Sequence, residues 1–162
     1  MSEGDAPIDP SMAQPGDQPI TARVLPDHDW FLVHLVELAS DGVSIGVTLH
    51  VGGLIISGEM ISGKSYFEEF SSKLLGASYA GHDPEENKNF LAEGFKSLTA
   101  IYDRPEDAPE DWQPPRPAFV HLRGARVFSA AGSPIPQEGA LWRGRITAVD
   151  AFSLGSLSQN RS

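Results

Sequence analysis

The sequence predicts an α+β domain built on a strongly bent antiparallel β-sheet, with one helix before the sheet and two helices inserted in it. Three observations carry this. Apolar residues recur at helical spacing in three stretches and at alternate positions in four others. The stretches follow one another as α-β-β-α-α-β-β, not in the strict alternation of a parallel sheet. The alternation changes parity near Gly124 and near Asp150, which marks a bulge or sharp bend at each.

Residues 1–26 read as a disordered, acidic, Pro-rich leader. Pro7, Pro10, Pro15 and Pro19 interrupt any ladder, and few apolar side chains offset the entropy of ordering. Residues 27–157 form the single domain, and 158–162 a frayed polar tail. Trp30–Ser40 is the first helix. Phe31, Leu32, Leu35, Leu38 and Ala39 share a stripe, Asp29 is available as N-cap, and Gly42 follows the end. Val43–Val51 then alternates, with Val43, Ile45, Val47, Leu49 and Val51 on one face. Gly52-Gly53 supplies the positive-φ pair of a two-residue hairpin, and Leu54–Ile61 returns with Leu54, Ile56 and Met60 inward.

Ser65-x-x-Glu68 has the form of a capping box, followed by Phe67, Phe70 and Leu74 at helical spacing. Asp83-Pro84-Glu85-Glu86 starts a further helix: Asp83 as cap, Pro84 in the first turn, and acids at the positive end of the dipole. Leu91, Phe95, Leu98 and Tyr102 are its expected buried stripe. Residues 104–117, with five prolines, read as a loop with Trp112 docked on the body. Ala118–Ser129 is the third strand. Ser133–Glu138 reads as a loop, and Ala140 to about Leu154 as one last, bent strand, with Trp142 packed inward.

Composition limits the function. The chain has 162 residues, one domain by length. With 12 Lys and Arg against 22 Asp and Glu, its net charge is −10, which disfavours a nucleic-acid binder that must neutralise phosphate. There is no Cys, hence no disulfide scaffold, thiolate metal site or Cys nucleophile. No apolar run is long enough to cross a membrane, and Met1–Pro19 lacks the basic and apolar regions of a secretory signal. A cytoplasmic protein is expected.

Chemical motifs are missing. His28, His34, His50, His82 and His121 form no His-x-x-x-His or His-Glu-x-x-His pair, and His50 and His121 are expected at ordinary outward strand positions. Ser57 lacks the Gly two residues earlier that a nucleophile elbow needs, and reads as a strand serine beside a bulge glycine. Gly42, Gly46, Gly52 and Gly53 form neither a Walker loop nor a dinucleotide fingerprint. No catalytic residue, metal ligand or cofactor is expected.

One constellation stands out. Residues 1–29 carry a net −5, 30–117 a net −8 and 118–162 a net +3. In Leu141-Trp142-Arg143-Gly144-Arg145-Ile146 two guanidinium groups share a strand face, with Arg123 and Arg126 expected on the neighbouring strand. Arg123, Arg126, Arg143 and Arg145 are therefore the candidate contact patch for an acidic partner, which includes the acidic segments of this same protein.

Val51-Gly52-Gly53-Leu54-Ile55-Ile56-Ser57-Gly58-Glu59-Met60-Ile61-Ser62-Gly63-Lys64-Ser65-Tyr66-Phe67 resembles the central hairpin-to-helix block of the gas vesicle accessory protein U family. Phe119–Phe128 is similar to that family's next block, and Trp142–Gly155 to its C-terminal signature. The blocks stand in the family's order; the leader and residues 104–117 depart from it. The resemblance implies a cytoplasmic, non-enzymatic accessory protein that organises or clusters gas vesicles by self-association. Its partners would be its own copies and the vesicle shell or other gas vesicle accessory proteins, with no nucleic acid and no membrane. The competing reading is an Sm-like small barrel that binds RNA, since an N-terminal helix before bent strands and Gly-rich hairpins suits that fold too. Net charge −10 and an Arg face with only Trp142 interleaved weigh against it.

Overall fold

The computed structural model describes residues 29–77, 84–128 and 134–157. The expected leader, the tail 158–162 and the Asp83 cap lie outside the described residues. The class is α+β, with three helices and one five-stranded sheet among the described residues.

Helix α1, Trp30–Ser40, begins where the sequence places it. The Phe31 and Leu32 N–H groups donate to Asp29 Oδ1 at 2.7 and 3.4 Å. Its buried side is Leu32, Val33, Leu35, Val36 and Ala39, so Phe31 turns outward against the Phe152 ring. Apolar residues occur almost all round this helix, and the sheet beneath selects the stripe.

Strands β1 (Ile45–Val51) and β2 (Leu54–Ile61) form the expected hairpin, with Gly52 and Gly53 at φ 56° and 82°. Pairs Val47↔Gly58 and Leu49↔Ile56 set its register. Helix α2, Gly63–Gly76, starts before the expected capping box: Ser62 is the N-cap, and its Oγ accepts the Ser65 N–H at 3.0 Å. Gly63 permits this start, because a Cβ there would lie 2.1 Å from the Tyr102 ring.

Helix α3, Pro84–Ser97, gives way to a 3-10 turn over Leu98–Tyr102. Ala92 is its fully buried contact; of the expected stripe Leu91 and Phe95 are half-buried while Leu98 and Tyr102 are more exposed. Ser71 Oγ donates to Ala92 O at 2.8 Å, and Phe70 and Phe95 meet edge to face. Residues 104–117 carry no helix or strand, and Trp112 is half-buried.

Strand β3, Phe119–Phe128, has the expected bulge: Gly124 adopts φ 59°, and the β3–β4 register shifts between Leu122 and Ala125. The last expected strand is corrected. It is two strands, β4 (Ile135–Arg145) and β5 (Ala151–Leu154), separated by a 3-10 turn at Ile146–Ala148. β4 also claims Ile135–Glu138 from the expected loop, since an edge strand tolerates Pro136.

The sheet order is β4-β3-β2-β1-β5, all pairs antiparallel. Consecutive strands β4 and β5 therefore occupy opposite edges. In a flat five-strand sheet those edges would lie about 19 Å apart. The link from Arg145 to Ala151, with three residues in a 3-10 turn, reaches only about 16 Å. The sheet must curl until its edges approach, though β4 and β5 do not pair, so it stays open. Ile146 N–H donates to Ala118 O at 3.0 Å and Asp150 N–H to His50 O at 2.9 Å, which ties the link to both sides. Inside the curl lie Val47, Leu49, Ile56, Met60, Val120, Leu122, Ala125 and Ile146, roofed by α1.

Candidate interaction face

The sheet has a second, outer face, and α2 covers part of it. The register sets Ile61 beside His121 and His121 beside Arg143, all pointing away from the core. His121 is not an ordinary outward residue. It is 3% exposed, with the Tyr66 ring 4.9 Å away and Phe67 and Tyr102 around it. Ile61 and Phe119, apolar side chains of outward parity, are the sequence signal that this face is covered.

Burial pushes the His121 imidazole down to about 4, and the Arg143 charge adds to the shift. Neutral His121 accepts from Arg143 Nε at 3.2 Å, so its proton sits on Nδ1. The Arg143 guanidinium lies over the Phe119 ring, 3.4 Å from its centroid. Burial likewise raises the Tyr66 and Tyr102 hydroxyls, against the pull of Arg143.

The four arginines of the sequence-derived patch have unlike surroundings. Arg123 binds within its own chain: Nε donates to Glu69 Oε1 at 2.8 Å, a second nitrogen meets the same carboxylate, and Nη1 reaches Glu59 at 3.3 Å. These contacts fasten α2 to the sheet. Arg126 donates to Gln137 O at 2.9 Å, across the bulged end of β3–β4. Arg143 and Arg145 are exposed at the end of β4, and neither meets a carboxylate among the described residues. Of the four, Arg123 is thus engaged within its own chain, and Arg143 and Arg145 are the pair without a carboxylate partner among the described residues.

At the same end of the sheet, a groove of about 620 Å³ runs between α1, the start of α2 and residues 112–118. Tyr102 and Trp112 give it aromatic walls, and Glu37, Asp41, Lys64 and Arg116 give its rim both signs of charge. Among the described residues no three His, Asp or Glu are grouped closely enough to hold a metal ion. No described helix is long and apolar enough to cross a membrane.

Fold and face together define a small α+β domain with an open curled sheet, a covered outer face and a cationic strand end. Residues 29–157 match the family model described as gas vesicle protein GvpU-like, and the chain belongs to that family. It is a gas vesicle protein of a family not known for enzymes. Comparison with curated proteins and with solved structures finds no match.

Proposed function

We propose that this protein is a non-enzymatic accessory protein that organises or clusters gas vesicles in the cytoplasm, through association with its own copies and contacts with the shell or other accessory proteins. The observation that supports this is the Arg143–Arg145 pair: two exposed guanidinium groups without carboxylate partners among the described residues, on a chain of net charge −10. Such a surface attracts the acidic surface of another copy, and the attraction is screened within about 8 Å at physiological salt. Membership of the GvpU-like family supplies the vesicle context.

The test uses purified protein and isolated gas vesicles. Sedimentation should show association that weakens as salt rises severalfold, and the protein should float with vesicles and increase their clumping. A chain that stays monomeric at every concentration and leaves vesicles dispersed overturns the reading.

A further inference from the structure

Among the described residues both edges of the sheet are free. Among the described residues no strand covers the outer side of β4, which is 11 residues long, or of β5. A free edge presents a row of unpaired N–H and C=O groups that template another strand. The free edges also carry exposed apolar side chains: Ile135 on β4 is 73% exposed and Leu154 on β5 is 62%. Trp30, 70% exposed, extends the apolar surface beside β5 through the Trp30–Phe31–Phe152 ring contacts.

The edges differ in charge. The end of β4 bears Arg143 and Arg145. The start of β5 is flanked by exposed Asp150 and, across the Phe31–Phe152 contact, by Asp29 at the head of α1. Antiparallel pairing of β4 with β5 from a neighbour would bring the Arg143–Arg145 end to the Asp150–Asp29 end. Parallel pairing would set those arginines against Leu154 instead. Register adds a second match: Trp142 on β4 and Phe152 and Leu154 on β5 lie on the core side of their strands, so the joined sheets would share one apolar face.

We infer that copies of this protein join head to tail, the β4 edge of one receiving the β5 edge of the next in antiparallel register. The inference rests on the self-association reading and specifies its surface. A contact between two different patches repeats, closing into a ring or continuing as a fibre. The fixed curl of the sheet sets the angle between successive copies.

Opposite charge reversals test this by mixing. Arg145→Glu alone sets like charges at its own joints, and so does Asp150→Arg alone. Each should need about tenfold more protein to associate than the unmodified chain. An equimolar mixture restores opposite charges at every alternating joint and should associate within about twofold of the unmodified chain. Asp150 Oδ2 also accepts the Gly52 N–H at 2.8 Å, so each variant must first melt within a few degrees of the unmodified chain. If Asp150→Arg melts lower, Ser153→Arg, at an exposed position on the same strand edge, takes its place in the mixture. Leu154→Lys, at an exposed position, should block association while leaving the melting temperature nearly unchanged. If the unmodified chain associates but the reversals and Leu154→Lys do so equally well, or the mixture is no better than its components, the edge pairing is wrong while self-association stands. An unmodified chain that never associates overturns both.

Discussion

The Nε of Arg143 donates to the Nε2 of His121 at 3.2 Å, so the cationic end of β4 is anchored on a buried, neutral imidazole. The arginine rests on Phe119 on one side and meets the histidine on the other. Protonating His121 would remove the acceptor and bury a positive charge beside a guanidinium.

Stability should therefore depend on pH through this residue. The free imidazole titrates at 6.5 and the folded one at about 4, so the unfolded chain takes up a proton first as pH falls. The contribution is complete above about pH 6.5 and is lost as pH falls toward 4, up to roughly 3 kcal/mol. His121→Gln keeps an acceptor for Arg143 but does not titrate. Denaturant unfolding at pH 7 and pH 4.5 should show a smaller difference for the variant than for the unmodified protein.

Arg123 should prove structural. Its contacts with Glu59 and Glu69 hold α2 on the sheet, but its side chain is 44% exposed, so the pairs are partly screened. Arg123→Ala should cost roughly 1 kcal/mol, about 4 °C in melting temperature. Its association concentration should stay near that of the unmodified chain.

Arg145 should behave in the opposite way. It is exposed and pairs with no carboxylate among the described residues. Arg145→Ala should leave calorimetric melting nearly unchanged and raise the concentration needed for association severalfold. Unfolding on this substitution would show that the side chain supports the fold.

The contrast between these arginines was only partly legible in the sequence. Features set by near neighbours were readable: the Asp29 cap, the Gly52-Gly53 turn and the Gly124 bulge. Arg123 was not, because its partner Glu69 is 54 residues away on a helix whose resting place depends on the whole sheet. The split between β4 and β5 was hidden for another reason. Trp142, Gly144, Ile146 and Ala148 keep strand parity through the 3-10 turn, and Ile146 is buried like a strand residue. The bonds of the link to Ala118 and His50, and the pairing of β5 with β1, reveal that the chain has crossed to the other edge.

Trp142 tests that edge. Its ring lies over Gly144, where a Cβ would come within 2.1 Å of the ring. It packs against the core but is only half-buried. Trp142→Ala should therefore cost about 2 kcal/mol, less than a fully buried aromatic would. Gly144→Ala should displace the ring and alter near-ultraviolet circular dichroism, with a smaller loss of stability.

The acidic leader supplies the last prediction. Residues 1–29 carry a net −5 and join the domain at Asp29, beside the β5 edge. Deleting Met1–Leu25 removes few apolar side chains and should change the melting temperature little. Its effect on association depends on which of two contacts dominates. A leader that bridges to the Arg143–Arg145 pair of another copy would favour assembly. One that reaches the same pair in its own chain would mask it. A tethered segment meets its own target at an effective concentration near the millimolar range, above usual protein concentrations. Masking should dominate, and its like charge also repels neighbours. Light scattering against concentration at low salt should therefore show the truncated chain assembling at lower concentration than the full chain, with the difference shrinking as salt rises. Lost assembly on truncation would identify the leader as the bridge between copies, and no change would show that its charge acts on neither contact.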